Sequence, residues 1–220
     1  MLQGIRANKR TLRKTMRATL RELSEADIQA QSQAIASKVM ALPAFQTCRT
    51  ISCYLSMPSA EAQTASLVMN ILADQKKQLF IPTIVSEDDR MDFVRLYDEE
   101  DFKGLPVGLW GIPQPTAQWK NENRQSVLES SAGNLDVILL PGLAFDRSLS
   151  RLGHGKGYYD KFLSSYITAA KRPRPLLVAL ALQQQLLDAG QVPITDSDWK
   201  VDVVITPNDT ITKDDSPNVL

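Results

Sequence analysis

LDVILLPGLAFDRSLSRLGHGKGYYDKFL, residues 135–163, is the stretch whose reading decides the fold. The apolar run Leu135–Leu140 reads as a buried strand that ends at Pro141-Gly142. A connecting loop leads to Arg151-Leu152-Gly153-His154-Gly155-Lys156-Gly157, with glycine at every second position from Gly153. Tyr159, Phe162, Leu163, Tyr166 and Ile167 then recur at i, i+3, i+4, i+7 and i+8, the buried stripe of a helix. Strand, glycine loop and helix in this order make a phosphate cradle. The glycines let backbone amides curl inward, and the helix start contributes unpaired N–H groups. Arg151 and Lys156, read as part of a solvent-facing loop, add positive charge. The spacing is not the dinucleotide fingerprint, and no Ser or Thr follows Lys156 as a Walker A loop requires. Alternate glycines alone also suit a surface turn, so the flanking strand and helix carry the phosphate reading.

Working outward, residues 5–23 read as a helix, and Ser24-x-x-Asp27 opens a second one that runs to Leu42 before Pro43. Thr50–Ser56 is a short strand, and Thr64 can cap a helix over 65–76. Leu79–Ile84 and Met91–Leu96 are strands joined by the acidic turn Ser86–Arg90. Residues 104–126, rich in Pro, Gly and amides, form a long loop. A strand (Leu176–Leu180), a short helix (Leu182–Ala189), a strand (Val201–Thr206) and a frayed polar tail complete the chain. The alternation predicts one α/β domain over residues 1–206 and a tail over 207–220. Its central sheet is mainly parallel with helices on both faces, and its N-terminal helix is basic. Ligands of such folds gather at the carboxyl edge of the sheet. Glu61, the glycine loop and Gln183–Gln185 all follow strands, which places them on that edge.

Lys and Arg number 25, as do Asp and Glu, so no net field draws the chain to nucleic acid or membrane. Cys48, Cys53 and a single His are too few for a zinc site and read as reduced thiols of an intracellular protein. No apolar stretch has transmembrane length, and no signal-peptide pattern opens the chain. Seven basic residues precede the first acid, Glu22, a pattern that a mitochondrial presequence shares.

Several side chains have both a bland and a functional reading. On the first helix, Ile5, Leu12, Met16, Leu20 and Leu23 fall within an arc of about 80°. Lys9 projects inside that arc and Arg13 just past it, either snorkelling out of an apolar seam or reaching toward a polyphosphate. Arg6, Arg10, Lys14, Arg17 and Arg21 read as a solvated face. Asp160 either satisfies a helix N-terminus or, with phosphate in the loop, shares a Mg²⁺ ion with it. Tyr158 and Tyr159 border the pocket, and Trp110 anchors its loop or stacks on a flat heterocycle. His154 is exposed between glycines with little case for acid–base duty. Glu61 caps a helix or pairs with a donor-rich substrate edge. The acids at 87–89 and 98–101 are solvated surface.

These pieces together resemble the 5-formyltetrahydrofolate cyclo-ligase (5,10-methenyltetrahydrofolate synthetase) family. The segments that carry the resemblance are KRTLR (9–13), YLSMPSAEAQT (54–64), WGIPQP (110–115), PGLAFDRSLSRLGHGKGYYDKFL (141–163) and DSDWKVDVVIT (196–206). The resemblance implies a monomeric ATP- and Mg²⁺-dependent enzyme of the cytoplasm, or alternatively the mitochondrion, that acts on a reduced folate. It would convert 5-formyltetrahydrofolate to 5,10-methenyltetrahydrofolate with release of ADP and phosphate, through a phosphorylated formyl oxygen. Lys9, Arg10, Thr11, Leu12 and Arg13 would contact ATP, as would Arg151, Leu152, Gly153, His154, Gly155, Lys156, Gly157, Tyr158 and Tyr159. Lys9, Arg13, Arg151 and Lys156 would be the catalytic cations. Leu55 and Glu61 would line the folate pocket with His154, Gly155, Lys156, Gly157 and Tyr158; Met57 and Trp110 are added here on position. Asp160 and Asp198 would hold Mg²⁺, although Asp198 precedes a strand and by topology alone belongs on the wrong edge. The family commonly has glycine where this chain has Leu149, so the turn there is expected to be built differently. That departure leaves a non-catalytic folate- or nucleotide-binding module as the alternative. A small-molecule kinase is a third reading.

Overall fold

The computed structural model describes residues 2–85, 90–108 and 111–213. The chain runs α1 (Leu2–Arg21), α2 (Glu25–Ala41), α3 (Pro43–Thr47), β1 (Thr50–Cys53), α4 (Ala65–Ala73), β2 (Gln78–Val85) and β3 (Arg90–Leu96). It continues with α5 (Glu99–Lys103), β4 (Gln118–Trp119), β5 (Glu122–Asn123), β6 (Val137–Leu140), β7 (Ala144–Asp146), β8 (Arg151–Leu152) and α6 (Tyr158–Leu163). After α6 come π-helical turns at Ser164–Ala169, β9 (Leu176–Leu180), β10 (Leu186–Leu187), β11 (Val203–Ile205) and β12 (Thr210–Thr212).

Seven strands form the central sheet in the order β12-β11-β9-β6-β1-β2-β3. The five inner strands are mutually parallel, and β3 and β12 run antiparallel at the two edges. Alternate side chains go to opposite faces, as the pleat demands. Ile51, Leu79, Ile81, Val137, Leu139, Val178 and Leu180 pack with α2 and α4 on one side. Phe80, Phe93, Ile138, Leu140, Leu177 and Ala179 pack on the other with Phe162, Leu163 and Tyr166 of the α6 region. The mainly parallel sheet covered on both faces is thus as the sequence reads.

Local chemistry explains the boundaries. Ser24 caps α2, its hydroxyl accepting from the Asp27 amide at 3.1 Å. Pro43 does not merely stop the chain; it takes the first turn of α3, where its missing N–H costs nothing. Thr64 precedes α4 without capping it, because its hydroxyl instead donates to Tyr54 O at 2.8 Å.

The structure corrects the reading at four places. The stretch between β6 and the glycine loop is not a loop: β7 and β8 pair antiparallel there, and β10 joins β7 to make a second, three-stranded sheet. The helix expected at Leu182–Ala189 is one 3₁₀ turn, Gln183–Gln185, followed by β10. Gln185 is fully buried and donates to Gly142 O at 2.6 Å, so it ties two sheet-edge turns together. Residues 210–212 are an edge strand where a frayed tail was expected, and α5 occupies part of the supposed acidic surface. The turn at 86–89 lies outside the described residues, with the acids at 87–89.

Leu149 holds φ at +64° while 96 % of its surface is buried in the second core. Its N–H donates to Asp146 O at 2.8 Å and its carbonyl accepts from Val201 N at 3.0 Å. The turn therefore keeps the left-handed backbone that suits glycine, contrary to the expectation of a different build. The leucine side chain offsets a strain of about 1–2 kcal/mol with its burial. Removing the side chain while leaving a Cβ loses the burial and keeps the strain. Leu149→Gly should consequently be less destabilising than Leu149→Ala, by about 1 kcal/mol in urea melts; the reverse order would refute the strain assignment.

Candidate active site

The site begins with the docking of α1. Leu12 and Met16 pack with Ala144, Leu152, Leu187, Val192 and Ile194, so the apolar seam of α1 lies on the small sheet. That docking presents Lys9, Arg13 and Arg17, one helical turn apart, to the loops beyond the sheet. Lys9 pairs with Asp198. Arg13 Nε donates to Gly153 O at 2.9 Å, and Arg17 donates to His154 O at 3.3 Å. Arg17 was read as part of a solvated face, but it reaches the glycine loop; its position one turn beyond Arg13 was the available signal. Arg10 and Thr11 are exposed.

The glycine loop spans β8 to α6. Gly155 at φ +125° and Gly157 at φ +70° adopt backbone that side chains rarely allow. Gly157 is the N-cap of α6 and supplies no side-chain cap to its amides. Arg151 is not on a solvent-facing loop as expected. It lies on β8 with its side chain 4 % exposed, donates to Asp160 Oδ2 at 2.8 Å, and stands 5.6 Å from the Tyr159 ring centre. Lys156 is exposed, whereas Tyr158 and Tyr159 are half-buried against the second core. His154 is exposed in area, yet crowding strips enough water to lower its pKa, and Arg17, Arg151 and Arg13 push it further down.

Asp160 and Asp198 are neighbours through Trp199, whose amide donates to Asp160 Oδ1 at 3.0 Å. Partial burial opposes the Asp198 charge, but hydrogen bonds from Lys9 and Thr195 hold its carboxyl below the usual range. Asp198 is not stranded on the far edge of the sheet: the 195–199 turn passes beside α6, with Trp199 bonded to Asp160 and Ser164, before the chain re-enters the sheet at β11. Among the described residues no cluster of three or more His, Cys, Asp or Glu exists. The pair of oxygen donors suits a hard ion completed by phosphate oxygens and water.

On the other flank, the chain after β1 carries Leu55, buried in the first core, half-buried Met57 and buried Glu61. Glu61 accepts from the Met57 amide. Burial raises the hydroxyl pKa values of Tyr54 and Tyr159, and Glu61 and Cys53 add to both shifts, so this flank lies near the start of α6. Trp110 lies outside the described residues. The acids at 98–101 are not all solvated surface. Asp98 caps α5, and Asp101 is wholly buried against Arg124, a pairing that sequence reasoning missed.

Fold and site together define an α/β protein whose glycine-rich loop is ringed by basic side chains, with a second flank that carries a buried acid, Glu61. The profile of the 5-formyltetrahydrofolate cyclo-ligase family matches residues 5–207, and the chain belongs to that family. A probable 5-formyltetrahydrofolate cyclo-ligase of Caenorhabditis elegans is 38 % identical over 210 residues, 96 % of this chain and 98 % of the relative. The 5-formyltetrahydrofolate cyclo-ligase of Mus musculus is 37 % identical over 201 residues, 91 % of this chain and 94 % of the relative. The solution structure of Aquifex aeolicus 5,10-methenyltetrahydrofolate synthetase superposes with a TM-score of 0.71 at 27 % identity, covering 94 % of each chain.

Burial pushes the Glu61 carboxyl up to about 8 against a weaker pull from the Met57 amide. The folded state therefore binds the proton more tightly than the unfolded state, whose value is 4.5. Stability falls as pH rises between those values and levels off above them. Glu61→Gln stays neutral and removes this loss. At pH 9 it should be more stable than the parent by about 2–4 kcal/mol, and at pH 5 close to equal. A difference that is the same at both pH values would contradict the raised pKa.

Proposed function

We propose that the protein is an ATP- and Mg²⁺-dependent 5-formyltetrahydrofolate cyclo-ligase that forms 5,10-methenyltetrahydrofolate, ADP and phosphate. The observation that carries the reading is the convergence of Lys9, Arg13 and Arg151 on the glycine loop and the Asp160 and Asp198 carboxylates. A formyl group on a ring nitrogen is amide-like and a poor electrophile. Transfer of the γ-phosphoryl group to its oxygen breaks the bond to ADP and makes that oxygen a leaving group. N10 then attacks the formyl carbon, the carbon–oxygen bond breaks, phosphate departs, and the N10 proton is lost to solvent.

The residues do what such a transfer needs, which is to position two substrates and neutralise moving charge. Loop amides from Gly153 to Tyr159 cradle the triphosphate, with Lys9, Arg13, Arg151 and Lys156 spread around it. Leu12 holds α1 in place from the small sheet, and Arg10 and Thr11 meet the nucleotide from the exposed flank. Leu55, Met57 and Glu61 enclose the pteridine, with His154 to Tyr158 facing both substrates, and Trp110 is a further folate-site candidate from its sequence position. Asp160 and Asp198 would hold Mg²⁺, which would offset the charge of the triphosphate. Lys9 and Arg151 balance the charges of Asp198 and Asp160 respectively. We place the enzyme in the cytosol as a monomer, with the mitochondrial matrix as the alternative compartment; either keeps the buried thiols of Cys48 and Cys53 reduced.

Purified protein given 5-formyltetrahydrofolate and Mg-ATP should show the absorbance rise of a methenyl folate, with one ADP per product. No ATP-dependent rise would overturn the proposal. Lys156→Ala should lower kcat by about 10²-fold with an unchanged melting temperature, because the side chain is exposed. Arg151→Ala should lose activity and stability together, because that side chain is buried.

A further inference from the structure

The loop of residues 104–126 is anchored by a buried ion pair that the nucleotide half of the site does not use. Arg124 donates to Asp101 through both terminal nitrogens, at 2.6 and 2.5 Å, with the two side chains 2 % and 0 % exposed. Two further donors are committed: Nε to Thr116 O at 2.9 Å, and NH1 again to Arg95 O at 3.0 Å. Asp101 Oδ2 further accepts from the Tyr97 amide at 3.0 Å. One guanidinium thus joins β3, α5, and both ends of the β4–β5 hairpin.

A buried ion pair is a poor source of stability, since desolvation consumes much of its Coulomb gain. What a planar five-donor fork supplies is fixed geometry. The geometry it fixes leads to the folate flank. N-terminal to Thr116 the chain doubles back on itself, with Gly108 N donating to Ile112 O at 2.8 Å, Gln114 N to Pro106 O at 2.9 Å, and a bridge between Val107 and Pro113. Ile112 packs on the first core. Gly111, at φ +74°, approaches Pro58 so closely that a Cβ would lie 2.8 Å from its ring. Pro58 adjoins Met57, whose amide donates to Glu61.

We propose that Arg124, clamped to Asp101, is a positioning residue for the reduced-folate half of the site: it holds the paired segments 106–108 and 111–116 against the 57–61 loop. The inference rests on the assignment of Met57 and Glu61 to the folate pocket made above. It separates the two halves of the site, because the glycine loop is held by Arg13 and Arg17 of α1 instead.

Arg124→Lys keeps the charge and removes the fork. It should raise the KM for 5-formyltetrahydrofolate about tenfold and leave the KM for Mg-ATP within about twofold. Hydrogen exchange at the Gly108 and Gln114 amides should quicken about tenfold, with the 153–157 amides unchanged. A folded variant with unaltered exchange at Gly108 and Gln114 would overturn the clamp. Faster exchange with an unaltered folate KM, or an equal rise in both KM values, would overturn its link to the folate half. If Arg124→Lys does not fold, Gly111→Ala is used, which drives a methyl into Pro58 and leaves the ion pair intact. The same folate-selective KM rise is expected, and its absence counts against the proposal. A parent protein inactive on folate would refute the proposed function, whereas the exchange measurement still reads the clamp.

Discussion

Cationic side chains of α1 that grip loop carbonyls and one carboxylate hold the site together. Arg13 and Arg17 spend hydrogen bonds on Gly153 and His154, and Lys9 spends its charge on Asp198. A helix that carries seven basic residues and no acid before Glu22 has little intrinsic reason to settle on a positively charged loop. It does so because Leu12 and Met16 find an apolar platform on the small sheet, and because the Arg13 and Arg17 guanidiniums each meet a carbonyl. Hydrophobic burial sets the position of the helix, and hydrogen bonding sets its register. Core and site are therefore built by the same twenty residues.

The small sheet is what makes this arrangement possible. The turn after β6 does not lead straight into the glycine loop; it detours through β7 and β8, with β10 as third strand. The detour lifts Arg151 onto a strand, where it is buried between Asp160 and the Tyr159 ring. Leu149 is the hinge of that hairpin. Its left-handed backbone removes the structural argument for an inactive, binding-only protein, since the turn survives the loss of glycine. The two flanks of the site are then braced separately, one by α1 and the Asp198 turn, the other by the Arg124–Asp101 pair.

What the sequence reveals follows from range. Apolar runs report their own burial, so β6 and β9 and the parallel inner sheet are readable from Leu135–Leu140 and Leu176–Leu180. Ser24 and Asp27 cap over three residues and are equally readable. The 144–152 hairpin is hidden because β8 is two residues long and polar at Arg151. β10 is hidden because Leu186-Leu187 continues an apparent helical stripe from Leu182. Asp101 reads as surface because its partner lies 23 residues away, and nothing local distinguishes it from Glu99 or Glu100. Arg17 is lost for a similar reason: a helical wheel ranks it with Arg10, and only the loop that approaches from residue 154 separates the two. Lys9 meets Asp198 and Arg151 meets Asp160, two pairings that no periodicity foretells.

The central claim is that the α1 cations and the glycine loop form one triphosphate grip. Calorimetric titration of a non-hydrolysable ATP analogue with Mg²⁺ into the parent and Lys9→Met proteins tests it most directly. The account requires one site in the parent and a loss of at least about tenfold in affinity in the variant, about 1.4 kcal/mol. Equal affinity in two folded proteins would contradict it.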